Sequence, residues 1–377
     1  MKILAISHEY PPIGGGGSNA CYFLLNNFVK VGHKVTLITA NYEQMEEQEQ
    51  KANLFIFRVN SKRKYKEHSS FMEMLDFLIK AYVAADKLEK ENRFDVCLIF
   101  FGIPSGPVGY MLKKKYNLPY FIRFGGGDIP GTQKRFSILY KLLAPAIKVI
   151  WKNAEGLIVN SSGLKERAQR FYKKKQFKVV CNGVDTSIFC AKKEDMEKIR
   201  NEFNVLFVSR LLERKGMQYI IPQLADLNYK MNGKLRLIIV GDGPYRKTLE
   251  NLVKKNGVES IVRFEGQRKK DEVIFYYQDS DIFILPSDWE GMPNVVLEAM
   301  ASGLPIIMTP CEGSAELVGN NGFVVKNSEF GEKIFELYSD LQLRENMSRI
   351  SRERAIELFS WEKASEQYIN IMSMHGE

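Results

Sequence analysis

At 377 residues the chain exceeds what one hydrophobic core ordinarily supports, so two domains are expected. With 45% hydrophobic and 26% charged residues, and no apolar run near the roughly 18 to 20 residues that cross a bilayer, it reads as globular rather than disordered or membrane-spanning. The net charge of +9 is uneven: residues 1–190 carry 29 Lys and Arg against 16 Asp and Glu, the remainder 25 against 29, so an anionic partner is expected on the first half.

In chain order, KILAIS (2–7) is a short apolar run that stops at His8 and Glu9, too short for a secretory signal, and is predicted to be a buried strand. A Pro/Gly loop and a helical stretch, ACYFLLNNFVKVG, lead to KVTLITA, rich in β-branched residues. FIFRV, DVCLIF, PYFIRF, GLIVN and KVVCN continue as strands with helical segments between most of them, which predicts βαβ units and a parallel sheet covered on both faces. Residues 187–203 are polar and read as a linker, after which the pattern restarts with NVLFVSR, KLRLIIVGDGP, VRFEG, DIFILPS and PIIMTP. SWEKASEQYINIM closes the series as an amphipathic helix. The five cysteines form no Cys-x-x-Cys pair and the four histidines are scattered, which points to free thiols in a reducing cytoplasm rather than structural zinc or disulfides.

Three loops carry the chemistry. Gly14 to Gly17, in PPIGGGGSNA, let the backbone approach a ligand ahead of a helix whose unpaired amides suit a phosphate or a sugar oxygen. Gly15-x-Gly17-x-x-Ala20 also fits a loose dinucleotide fingerprint, so an NAD-dependent oxidoreductase stands as an alternative class. In VSRLLERKG, Arg210 and Lys215 beside a strand's end form a clamp for a diphosphate. In LPSDWEGMPNVVLEAMASGLP, Asn294 is the expected N-cap of a helix from Val295, closed by Gly303 and Pro305. The Val295 and Val296 amides are expected to point at a phosphate, and Glu298 to accept from ribose hydroxyls, with Glu290 in the loop before it. The basic clusters Lys62-Arg63-Lys64 with Lys66, Lys113-Lys114-Lys115 and Lys173-Lys174-Lys175 are either solvated surface or an anionic-membrane patch. No nucleic-acid motif accompanies them.

Together these segments resemble the retaining glycosyltransferases of the GT-B fold whose mark is Glu-x7-Glu, glycosyltransferase family 4, also called glycosyl transferases group 1. Glu290 and Glu298 match that spacing, and PPIGGGG, VGHKVTLIT, CNGVDTSIF, SRLLERKG, IVGDGP, FEG and SDWEGMPNVVLEAMASGLP follow in the family's order over nearly the whole chain. The resemblance implies two Rossmann-like βαβ domains facing each other across a cleft. The first, 1–190, would bind the acceptor and the second, 191–358, the nucleotide-sugar donor, with the helix of 359–377 packing back on the first.

It also implies roles. Arg210 and Lys215 would hold the diphosphate and stabilise the leaving charge; Glu298 would bind ribose and Glu290 lie beside the donor sugar. Gly291, Met292 and Asn294 would contact sugar hydroxyls, Gly266 to Arg268 would flank the base, and Gly15 and Gly16 would close over the phosphates. Arg123 and Asp128, in RFGGGDIP, resemble a motif facing the sugar and acceptor. Relatives place a His in that region, whereas here none lies between His68 and His375; His8 is another candidate. A hexosyltransferase needing no metal or other cofactor is implied, acting with retention by front-face attack or through a covalent intermediate. The donor is expected to be a UDP-sugar, with a GDP-mannose-type donor as the alternative. A saccharide or lipid-linked acceptor in polysaccharide or glycolipid synthesis is expected, with the protein cytoplasmic or peripheral at the inner membrane face.

Overall fold

The computed structural model describes residues 1–43, 45–61, 63–66, 69–131, 137–191 and 201–374. Lys62, His68, His375 and the greater part of the predicted linker lie outside the described residues. The chain divides into two units, Met1–Asn182 with Trp361–Glu377, and Gly183–Ser360.

The first unit is built on strands β1 (Lys2–Ile6), β2 (Lys34–Ala40), β3 (Gln48–Lys51), β4 (Leu54–Val59), β5 (Val96–Phe100), β6 (Tyr120–Arg123), β7 (Gly156–Val159) and β8 (Phe177–Val179). Their order is β3-β4-β2-β1-β5-β6-β7-β8. β1 lies parallel to both β2 and β5, with Ile3 opposite Val35 on one side and Val96 on the other. Side chains alternate between faces, so both must be covered. Leu4, Ile6, Ile38, Ile99 and Ile122 meet helices α2 (Phe71–Asn92), α3 (Gly106–Tyr116), α4 (Ser137–Asn153) and α5 (Ser162–Phe171). Ile3, Ala5, Leu37, Leu98 and Phe121 meet α1 (Gly16–Lys30) and the helix Trp361–Ser373. That last helix stacks Trp361 on Phe23 of α1, ring centroids 5.2 Å apart. α2 starts at a capping box, in which Ser70 accepts from the Glu73 amide and Glu73 from the Ser70 amide at 2.6 Å.

The second unit contains β9 (Phe203–Val208), α6 (Met217–Ile220), α7 (Leu224–Lys230), β10 (Leu235–Val240), α8 (Arg246–Lys255), β11 (Val262–Gly266), α9 (Lys270–Gln278), β12 (Ile282–Leu285), α10 (Asn294–Ala301), β13 (Ile306–Met308), α11 (Ser314–Leu317), β14 (Gly322–Val324), α12 (Phe330–Ser339) and α13 (Leu341–Leu358). Its sheet runs β11-β10-β9-β12-β13-β14, with every described pairing parallel.

Four features differ from expectation, one being β14 (Gly322–Val324), which no predicted strand covers. The first crossing lies at Asn182/Gly183 rather than after 190, because Val184 bridges Ser360, Phe189 packs edge-on against Tyr277 and the Cys190 carbonyl accepts from Gln278. α1 begins at Gly16, within the glycine run, and not at Ala20. β3 was not anticipated: it is polar, pairs antiparallel at the sheet edge, and is held by Glu49 on the buried Arg58 at 2.5 Å.

Candidate active site

In the second sheet the chain leaves β9 toward β10 and β11, then returns to pair β12 on the other side of β9. Loops after β9 and β12 therefore diverge at a topological switch point, where open α/β sheets bind ligands. The β9 loop runs through Arg210, which is exposed, into a tight turn at Glu213–Lys215. Gly216 then adopts φ +79°, and a Cβ there would lie 1.8 Å from the Pro286 carbonyl oxygen. Only glycine lets the two backbones approach this closely. The loops are stitched further by the Asp288 amide donating to the Arg214 carbonyl at 2.8 Å and by Arg214 donating to the Trp289 carbonyl at 3.2 Å. As a result Lys215 and Glu290 form an ion pair with both side chains nearly buried.

The other motifs abut this point. A Cβ on Gly241 would meet the Ser209 carbonyl oxygen at 1.9 Å and one on Gly243 the Leu211 carbonyl oxygen at 2.3 Å, so the loop after β10 packs on that after β9. The Gly241 amide donates to the Gly266 carbonyl at 2.8 Å, which brings in the end of β11. Gly266 has φ +72°, and the exposed Arg268 pairs with Glu265 at 3.0 Å. The β12 loop is braced from behind, where the Glu312 amide donates to the Glu290 carbonyl at 3.1 Å and Gly313 packs on the Gly291 carbonyl. Met292 is buried, Gly291, Asn294 and Val295 are half-buried, and Val296 is fully buried.

Two expectations about α10 are corrected. The helix begins at Asn294 with Pro293 at the N-cap, whose φ of −73° is set by its ring, and no side chain caps it. The Val296 amide donates to the Pro293 carbonyl at 3.1 Å, so it is spent within the first turn and does not point at a ligand. Glu298 is half-buried and accepts from the Tyr277 hydroxyl at 2.9 Å. Burial and then the Glu298 charge push the Tyr277 phenol well above its usual range, which keeps it a proton donor. Nothing in the motif spacing signalled Tyr277; the trace it leaves is an aromatic pair, Tyr276-Tyr277, at the end of the helix before β12.

The first unit has its own switch point between β1 and β5. Gly15 and Gly16 are exposed there, and Gly15 has open space around it. Gly14, at φ +90°, donates its amide to the Lys66 carbonyl at 2.9 Å. Asp128 is buried and accepts from the amides of Gly102 at 2.7 Å and of Gly125 and Gly126 at 2.9 Å. Its carboxylate ties the loops after β5 and β6, with burial raising its pKa. Arg123 is also buried and donates to Asn182 at 2.7 Å. His8 is buried edge-on against Phe101 at 4.7 Å, and burial, with the nearby Arg63 charge, lowers its pKa to about 3. It is neutral at pH 7.

The basic clusters are less uniform than their sequence suggests. Arg63 is buried, donating to the carbonyls of His8 at 3.2 Å, Tyr65 at 3.0 Å and Lys66 at 3.1 Å, so it clasps the 63–66 loop against the β1 loop. Lys113 pairs with Glu155 and donates to the Asn153 carbonyl at 2.8 Å. Lys175 donates to the Ala154 carbonyl. Among the described residues no three His, Cys, Asp or Glu side chains are grouped to hold a metal ion, and no helix is long and apolar enough to cross a membrane.

Comparison with known proteins gives the same assignment across the chain. Residues 14–188 match the family described as Glycosyltransferase Family 4, and residues 191–354 match Glycosyl transferases group 1. An uncharacterized glycosyltransferase of Methanocaldococcus jannaschii is 27% identical over 96% of this chain and 95% of its own. Among solved structures, sucrose-phosphate synthase of Thermosynechococcus elongatus superposes with a TM-score of 0.81 at 20% identity, covering 100% of this chain and 99% of that one. Anabaena HepE in complex with UDP and glucose gives 0.77 at 20% identity, covering 99% of each. The nicotinamide reading of the glycine run falls with these matches. The chain is a glycosyltransferase of the family 4, group 1 class, with two parallel-sheet α/β domains of the GT-B fold.

Proposed function

We propose that the protein transfers a hexose from a UDP-sugar to a saccharide or lipid-linked acceptor, with retention at the anomeric carbon and without a metal. The observation that carries this reading is the Lys215–Glu290 ion pair at the β9/β12 switch point, with Arg210 on the same loop and Glu298 one turn into α10. A diphosphate brings at least two negative charges to Lys215 and Arg210, and competes with Glu290 for the ammonium. These cations neutralise the departing phosphate in place of a metal, by preorganised charge. Glu290, released from Lys215, accepts from donor-sugar hydroxyls. Glu298, held by Tyr277, accepts from the ribose.

In the reaction the bond between the anomeric carbon and the phosphate oxygen breaks, and the acceptor oxygen bonds to that carbon on the same face. The acceptor proton passes to the departing phosphate oxygen. UDP as the nucleotide is supported by the complex that the structurally similar HepE forms.

The test is NMR-monitored turnover of a panel of UDP-, GDP- and ADP-sugars, with and without EDTA. Consumption of a UDP-sugar with retention, unchanged by EDTA, is expected. An inverted product, a metal requirement or preference for a GDP-sugar overturns the corresponding part.

A further inference from the structure

α2 covers the first sheet only in part. It buries Phe77, Ala81, Ala85 and Leu88 in the core formed with Leu4, Ile6 and Ile38, and it ends at Asn92. Side chains two residues earlier on those strands share that face, and the register sets Lys2 beside Lys34 and Thr36 beside Phe55. Beyond the end of the helix these four residues line a cavity of about 380 Å³ at the N-terminal ends of the strands. Buried Phe94 and half-buried Phe55 give it aromatic walls, and Gln50, Asn53 and Asn92 on its rim carry amide side chains. The charges here are unbalanced. Lys2 and Lys34 are both exposed and lie directly opposite each other on neighbouring strands, a pairing of like charges that costs stability. Lys2 uses one of its three donors on the Asn92 carbonyl at 3.1 Å, while the Asp95 carboxylate accepts from the Lys2 amide at 2.6 Å. Among the described residues no carboxylate forms an ion pair with either ammonium. A bound anion between them turns the repulsion into attraction.

We infer that this cavity binds a phosphorylated monosaccharide, with its phosphate between Lys2 and Lys34, its ring against Phe55 and its hydroxyls on the amides of Gln50, Asn53 and Asn92. The volume lies at the small end of ligand sites, so it admits one metabolite and not an oligosaccharide. An inorganic anion alone leaves the aromatic wall and the amides unused. β1 is five residues long, which puts the cavity about 15 Å from the switch point at the strand's other end. Open α/β sheets bind their substrates at that other end, so the site is separate from the transfer chemistry. Its test therefore does not pass through transferase activity.

Isothermal titration calorimetry of the intact protein is run with the phosphates of glucose, galactose, mannose and N-acetylglucosamine, with inorganic phosphate and with UDP. At least one sugar phosphate is expected to bind about tenfold or more tightly than inorganic phosphate, because the ring adds an aromatic contact and hydrogen bonds. Lys34→Glu weakens that binding by about tenfold or more with the circular dichroism unchanged, since Lys34 is exposed and its charge-assisted bond is lost. Phe55→Leu weakens it severalfold. Lys215→Ala, which disables the diphosphate clamp, leaves it unchanged, so failure of the donor assignment does not carry over. Absence of binding by every sugar phosphate, or equal affinity for inorganic phosphate, overturns the inference. So does binding that survives Lys34→Glu, or displacement of the sugar phosphate by UDP in the Lys215→Ala protein.

Discussion

Lys215 and Glu290 hold each other in a nearly buried pocket, so removing one leaves the other's charge uncompensated. Lys215→Ala is therefore expected to lower kcat by about 10²- to 10³-fold, the loss typical of one preorganised charge donor. Circular dichroism checks that the fold is kept. Tyr277 acts one step removed, by orienting Glu298. Tyr277→Phe is expected to raise KM for the donor severalfold with kcat little changed, because the ribose contact proposed for Glu298 would serve ground and transition states alike. A fall in kcat at constant KM contradicts that role. His8 gives a pH test in the first unit. Unfolded, it protonates near 6.5 and folded only near 3, so between those values the unfolded chain binds the extra proton. Stability is complete above pH 6.5 and falls as the pH drops through that window, by about 2 kcal/mol between pH 7.5 and pH 5. Urea titrations of the wild type and His8→Gln at both pH values measure the difference; equal pH dependence in the two rules it out.

At the level of elements, the loops and not the helices bring the motifs together, and glycine sets how near the loops come. Gly216 sits at φ +79° under the Pro286 carbonyl, so Gly216→Ala is expected to destabilise the second unit by at least about 2 kcal/mol, read from its thermal midpoint. Gly15 is the contrast: it has negative φ and open surroundings, so Gly15→Ala leaves stability within about 0.5 kcal/mol and any loss of kcat/KM reports ligand contact. The buried strands were legible because parallel sheets covered on both faces need continuous apolar runs. Edge strands carry no such requirement, which is why β3, with QEQK, left no trace in the pattern. The cap of α10 was misjudged for a local reason. Asn294 is a good capping residue, but the proline before it already has the φ that the turn requires. Arg63 escaped notice because charge runs read as surface, whereas its guanidinium is consumed by three carbonyls.

For the molecule as a whole, two sheets with switch points at β1/β5 and β9/β12 account for why the sequence motifs fall at strand ends, and that order was visible in the chain. The identity of donor and acceptor was not, because specificity rests on side chains in loops whose course no periodicity dictates. The first unit, moreover, is discontinuous. Its second face is closed by Trp361, Tyr368 and Met372, which follow the whole of the second unit in sequence. Trp361→Ala is accordingly expected to lower the stability of the first unit by about 3 to 5 kcal/mol and leave the second unchanged, seen as the shift of one of two calorimetric transitions. During synthesis the same arrangement imposes an order. The second unit is complete in sequence before the helix that seals the first has been made, so a nascent chain carries the apolar floor of the first unit, around Phe23, bare to solvent until the final helix arrives. A chain stopped short of that helix therefore displays its own defect as exposed hydrophobic surface, the feature that chaperones and proteases recognise.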